Sequence, residues 1–248
     1  MRVRRRPGCG AVLAAVLAGG AAVAVWWARP GVDLEKWRRG PLPLEWASWR
    51  RQVQVWEREG LQRRPEHAYR PLREISEHLA VAVLVSEDIS YFGHGAVDPR
   101  AVWEVVKEWR SDGRLRGAST VSQQVARILF LSPERSIVRK LEEARLAYWL
   151  ERRLGKRRVL EIYLNTVEFG PGLFGAEAAA RHYFGSSATA LSPEQAAALA
   201  AAIPAPGRDN PDTATAKWEF RRDTVQRRMQ RAGWLRNRLA GMAARPEP

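Results

Sequence analysis

Cysteine is almost missing from this chain: Cys9 stands alone among 248 residues. A single thiol excludes an intrachain disulfide and a Cys-rich metal site, so the compartment has to be argued from topology. Alternating apolar and polar runs of the kind that build half-buried strands are hard to find. No internal repeat or low-complexity tract stands out beyond the Ala-rich stretch Ala196 to Ala202, which reads as a buried helix. These absences point to a mainly α-helical domain. Acidic residues are the minority charge, 27 against 41 Lys and Arg, for a net charge of +14. The excess favours an anionic partner: nucleic acid, phospholipid headgroups or a pyrophosphate substrate. Charge alone does not choose among these. A length of 248 residues with 46% hydrophobic content suits one large catalytic domain.

One long apolar run is present. Gly8 to Ala28 is uncharged over 21 residues, enough at about 1.5 Å per residue to cross a hydrocarbon core of roughly 30 Å. Arg2, Arg4, Arg5 and Arg6 precede it, which places the N-terminus in the cytoplasm and the rest across the membrane, with Trp26 and Trp27 at the outer interface. A cleaved signal peptide, with small residues at Ala21 to Ala24, is the alternative. The expected organisation is a basic tail (1–7), a transmembrane helix (8–28), a juxtamembrane linker (29–71) and a catalytic domain (72–248) whose last helix is basic. The linker carries Trp37, Trp46, Trp49 and Trp56 with several prolines. It reads equally as short helices near lipid headgroups or as a helical hairpin packed on the domain.

From Pro71 onward the pattern is helical. Asp98-Pro99, Thr120 with Gln123, Ser132-Pro133 and Ser192-Pro193 have the form of helix starts. Gly155 and Gly233 look like C-terminal stops. The chemistry centres on Val85 to Asp98 (VSEDISYFGHGAVD), where the apolar run His78 to Val85 ends in Glu87 and Asp88. A partly dehydrated carboxylate at such a point suits a general base. Arg116 to Ala144 supplies small residues, hydroxyls, amides and cations, then Glu143. Taken alone, Glu87 could be a solvated helix end, Asp98 an N-cap and His94 a structural hydrogen-bonding residue. Arg139 and Glu143, four apart on one helix face, could be an ordinary ion pair. The cap at Thr120 would also turn free backbone N–H groups toward a phosphate.

Together these residues resemble glycosyltransferase family 51, the peptidoglycan glycosyltransferases, and within it the monofunctional biosynthetic transglycosylases. The family's first motif, Glu-Asp-x-x-Phe-x-x-His-x-Gly-x-Asp, is matched at Glu87, Asp88, His94 and Asp98, with Tyr91 in the Phe place and Ala96 in the Gly place. Gly117, Ala118, Ser119, Thr120, Gln123 and Gln124 match the second. Arg139, Lys140 and Glu143 match the third, and Tyr163, Leu164 and Asn165 the fourth. Arg127 and Ile128 depart from the usual Lys and Asn. The likeness runs over roughly residues 72 to 212, and EFGPGLFG from Glu168 and HYFG from His182 add to it.

The resemblance implies a lysozyme-like helical glycosyltransferase domain with a smaller membrane-embedded part, tethered by the N-terminal span in the inner membrane and facing the periplasm. It implies polymerisation of lipid II onto a growing glycan strand, with Glu87 as general base and Glu143 as second carboxylate. It assigns Asp88, Ser119, Thr120, Gln123, Gln124, Arg127, Arg135, Arg139 and Lys140 to substrate binding, and a divalent metal, Mg or Mn, to Asp88 and Glu143. Membrane lipid, the phosphoglycolipid inhibitor moenomycin and other cell-wall synthesis proteins are the implied partners; nucleic acid is not. None of the five lysines has Ser three places before it, so the Ser-x-x-Lys signature of penicillin-binding transpeptidases is missing. A glycan-cutting hydrolase or lytic transglycosylase also fits paired carboxylates on a helical domain, though not the cations. A non-catalytic wall-binding scaffold would leave the motifs unexplained.

Overall fold

The computed structural model describes residues 18, 20–21, 24–100, 103, 119–134 and 136–243. Gly117, Ala118 and Arg135 lie outside them, as does most of the expected span. Among the described residues no helix is long and apolar enough to cross a membrane. The chain forms two compact units, Met1–Asp33 and Leu34–Pro248. In the first, residues 24–28 are helical and the Trp26 and Trp27 rings meet edge to face at 6.0 Å.

The second unit is mainly helical. Its described helices are α1 (Ala47–Arg58), α2 (Glu77–Glu87), α3 (Val121–Phe130), α4 (Ile137–Thr166), α5 (Ala176–Phe184), α6 (Pro193–Ala202), α7 (Ala216–Gln230) and α8 (Gly233–Ala243). Helix α2 is the centre. Ser76 caps it by accepting the His78 N–H, and every residue from Leu79 to Val85 is buried. A helix that is apolar all round is stable only when covered on all sides, and here burial overrides the modest helix preference of Val81, Val83 and Val85. It packs on α6, α7 and α8. The small side chains of Ala196 to Ala202 let α6 lie close against it. Trp218 of α7 closes this layer, donating its indole N–H to the Ala198 carbonyl at 3.0 Å.

The other half pairs α3 with α4. Helix α4 begins after Ser136, which caps it through the Arg139 N–H at 3.1 Å, so the start lies four residues beyond Ser132-Pro133. It bends at Gly155, whose positive φ of 75° breaks the helical run where a stop was expected. Gly233 instead opens α8, and α7 has already ended at Gln230. The Ser192-Pro193 start is present as read, and the structure adds a capping box between Ser192 and Gln195.

Three short strands also form, β1 (Glu66–His67), β2 (Glu168–Gly170) and β3 (Leu173–Phe174), in the order β1-β3-β2. β1 runs parallel to β3, and β2 and β3 form a hairpin. Two or three residues carry no alternation for a pattern to reveal. Gly172 in the hairpin has φ of 70°, and a Cβ there would fall 2.1 Å from the Trp56 ring. That ring belongs to α1, and Trp37, Trp46, Trp49 and Trp56 are all buried. Trp46 and Trp49 pack on Phe174 at 5.7 and 5.8 Å. The tryptophans of this segment are packed, but the segment forms one α-helix, α1, and the strand β1 rather than a helical hairpin.

Candidate active site

Glu87 is the last residue of α2 and is half-buried. Its Oε1 accepts from the Ser86 hydroxyl at 3.0 Å, and its Oε2 accepts from the Gln124 amide at 3.0 Å. The other end of that amide, Gln124 Oε1, accepts from the Tyr163 hydroxyl at 3.0 Å. Tyr163 is fully buried, and burial first, then the charge of Glu87, raises its phenol well above the ordinary value. It therefore remains a neutral donor.

Asp88 turns the other way. Its Oδ2 accepts from the Val121 N–H at the start of α3 at 2.9 Å, and its Oδ1 meets His94 Nε2 at 2.6 Å. His94 Nδ1 in turn lies 2.5 Å from the Gly95 carbonyl oxygen. This carboxylate and ring join the loop to α3. Asp98 accepts from the Arg100 N–H at 2.9 Å, as an N-cap does. The departure at Tyr91 has a partner: the ring is buried, its hydroxyl donates to the Lys156 carbonyl at 2.7 Å, and the Lys156 ammonium sits 4.3 Å from the ring centroid.

The α3 N-terminus differs from expectation. Thr120 and Gln123 form a complete capping box, and the Thr120 hydroxyl donates to the Ala96 carbonyl at 2.6 Å. The N–H of Gln123 goes to Thr120 Oγ1, that of Gln124 to the Thr120 carbonyl, and that of Val121 to Asp88. Most of the first-turn N–H groups are thus taken up by the chain itself, which leaves less of the turn to face an anion than the cap alone suggested. Thr120 and Gln123 are buried within that cap. Ser119, just outside it, accepts from Lys140 Nζ at 2.8 Å.

The cations gather at a cavity of about 340 Å³. Arg51, Arg127 and Arg139 line it, with Gln124 and Glu168 among their neighbours. Arg51 comes from α1, donating to the Leu131 carbonyl at 2.8 Å and to Ser48 Oγ at 2.7 Å. Burial and the nearby Arg127 charge lower its guanidinium below its ordinary value. Burial raises the Glu168 carboxyl, against the opposing Gly172 N–H and Arg51. Arg139 is paired with Glu143, so it is Arg51 and Arg127 beside the one carboxylate of Glu168 that leave the pocket positive and attractive to an anion. A second cavity of about 480 Å³, lined by Leu72, His78 and Leu239 among others, includes none of the expected site residues.

Glu143 has only 2% of its side chain exposed and sits between two cations. Arg139 Nη1 donates to Oε2 at 2.6 Å and Lys140 Nζ to Oε1. Both oxygens of Asp88 and both oxygens of Glu143 are thus engaged by partners in the chain, and among the described residues no group of three or more His, Cys, Asp or Glu could hold a metal ion. The donor set in this arrangement does not fit a divalent cation.

The structure thus brings together Glu87, Gln124, Arg127, Arg139, Lys140, Ser119 and Glu143, and sets Asp88, Thr120 and Gln123 to framing duties. Tyr163, which the sequence marks only as part of the fourth motif, reaches the carboxylate through Gln124. Arg51 and Glu168 were passed over. Arg51 lies in a segment with no motif, and the acid of EFGPGLFG carries no spacing that marks it.

The chain matches the family model described as Transglycosylase over residues 54–230. It is similar to the biosynthetic peptidoglycan transglycosylase of Marinomonas sp. (strain MWYL1), 43% identical over 168 residues, or 68% of this chain and 75% of that one. A protein of the same name from Methylobacillus flagellatus is 48% identical over 142 residues, 57% of this chain and 62% of its own. One from Herminiimonas arsenicoxydans is 41% identical over 181 residues, covering 73% and 78%.

Proposed function

This chain belongs to the transglycosylase family and is a glycosyltransferase of peptidoglycan synthesis, and from that premise we propose that it polymerises lipid II into β-1,4-linked glycan strands. The observation that carries this reading is Gln124, which touches Glu87 and also lines the arginine-walled cavity. One side chain separates a candidate base from a candidate pyrophosphate site. The acceptor's GlcNAc 4-hydroxyl attacks the anomeric carbon of the donor MurNAc. Its proton passes to Glu87, the carbon–oxygen bond to the pyrophosphate breaks, and undecaprenyl pyrophosphate leaves with inversion at carbon.

Negative charge grows on the leaving group, and Arg127, Arg139 and Lys140, with Arg135, meet it as charge-assisted donors. Glu143 acts by positioning, since it holds Arg139 and Lys140 on one face of α4. Membrane lipid is the natural neighbour of such a donor. Exposed Ile137, Val138 and Leu141 at the start of α4 support contact with it, beside those same cations. The apolar run 8–28 serves as the anchor, with the catalytic unit outside the cytoplasm. A reporter fused after Arg29 should then be active only outside; recovery of a mature protein starting near Arg29 would favour a cleaved signal.

The deciding experiment incubates the detergent-solubilised full chain with lipid II. Strands that lengthen support polymerisation, strands added beforehand that shorten support the glycan-cutting alternative, and no change in either leaves the scaffold reading.

A further inference from the structure

Gln124 has two ends, and the structure shows what each must face. An amide oxygen and an amide nitrogen look alike in shape, so the hydrogen-bond network assigns them. A carboxylate only accepts, so the end facing Glu87 is the nitrogen, and the Tyr163 hydroxyl donates to the other end, the oxygen, at 3.0 Å. The nitrogen is then turned to Glu87 Oε2, also at 3.0 Å. A flipped amide would set its carbonyl oxygen against the carboxylate, two acceptors with no proton between them. Tyr163 is fully buried and Gln124 is 7% exposed, so water does not readily replace the bond between them.

We propose that Tyr163, acting through Gln124, is a positioning residue for the Glu87 carboxylate: it locks the amide so that Glu87 is held in one rotation with its free lone pairs turned to the acceptor hydroxyl. Ser86 braces the other oxygen, at 3.0 Å. The chain Tyr163, Gln124, Glu87 joins α4, α3 and the end of α2, three elements whose relative placement only the packed core sets. Each bond in it polarises the next. A carboxylate that must accept a proton at one moment of the reaction gains from waiting in the productive geometry. The raised phenol of Tyr163 is consistent with this, since the hydroxyl stays a donor throughout.

This inference rests on Glu87 being the base, and the test separates the two. Purified full-length chain in detergent is assayed with lipid II as Tyr163→Phe, Gln124→Met and the double variant. Phenylalanine keeps the ring and removes only the donor. We expect Tyr163→Phe to lower kcat about 10-fold with KM within about twofold, as loss of one orienting hydrogen bond should. The double variant should be no slower than Gln124→Met alone, because Tyr163 acts only through that amide. Wild-type kcat in Tyr163→Phe, a loss that appears in KM, or losses that multiply in the double variant would each overturn the inference. Glu87→Gln is run beside them. If it still polymerises lipid II, the base reading fails and this one with it; if it is inactive while Tyr163→Phe is unimpaired, only the positioning role falls.

Discussion

Glu87 and Glu143 are both glutamates of family motifs, beside one cleft, yet their surroundings differ in kind. Glu87 is half-buried and takes hydrogen bonds from two neutral groups, Ser86 and Gln124. Glu143 is buried and clamped between Arg139 and Lys140. Neutral donors orient a carboxylate without cancelling its charge, so it can still take a proton from a substrate. Two cations cancel that charge and fix the cations in return. Under the proposed function the contrast gives chemistry to Glu87 and organisation to Glu143, so two carboxylates would serve one reaction without doing the same work.

The contrast breaks first if Glu87 is dispensable. Glu87→Gln keeps shape and hydrogen bonding while removing basicity, and polymerisation of lipid II should fall roughly 10²- to 10⁴-fold. The melting temperature should stay near that of the parent. Next come the cations that Glu143 holds. Lys140→Ala should weaken donor use roughly 10- to 100-fold, as loss of a charge-assisted phosphate contact would, and moenomycin affinity should fall in parallel. Parent-like binding of both ligands would return α4 to an ordinary solvated face.

Glu143→Gln sharpens the comparison from the stability side. Removing one partner from a buried ion cluster costs about 3–5 kcal/mol when fully dehydrated. Lys140 is 46% and Arg139 18% exposed, and solvent screening reduces the expectation to about 1–2 kcal/mol in denaturant unfolding. A loss as large in Glu87→Gln would erase the distinction.

The smallest expected effect on lipid II polymerisation belongs to a third acid, Glu177, which stands outside the proposed site and bears on stability. Burial alone would raise its carboxyl. The Arg70 hydrogen bond, the Ala188 N–H and Arg181 outweigh that and lower it from 4.5 to about 2. A carboxyl depressed on folding stabilises the fold above its unfolded value, and that contribution fades as pH falls from about 4.5 toward about 2. Melting temperature followed over that range should drop more in the parent than in Glu177→Gln.

Local chemistry was legible throughout. The capping box at Thr120 with Gln123 and the helix start at Ser192 were readable because donor and acceptor lie three residues apart. The all-round apolar character of Leu79 to Val85 announced a buried helix that surfaces at Glu87. The four motifs, in order and at spacing, were enough to reach the family. Three things were not legible. The helix expected from Ser132-Pro133 begins at Ser136, because either serine could cap and only packing selects one. The strands are too short for a periodic signal. The anion cradle expected at α3 is narrowed because Asp88, 33 residues away, takes the Val121 N–H.

What the amino-acid order determined by itself, then, is the mainly helical character, the caps at Thr120 and Ser192, the buried central segment and the family. Those follow from contacts within a turn or two and from the count of apolar faces. Which partner each polar group takes was decided only by tertiary structure. Gln124 meets Glu87 across 37 residues and Tyr163 across 39, Arg51 crosses 80 to reach Leu131, and four tryptophans that composition could equally have laid on lipid are buried. A side chain's few donors and acceptors carry no address along the chain; they are matched only when the burial of apolar surface has set the helices against one another.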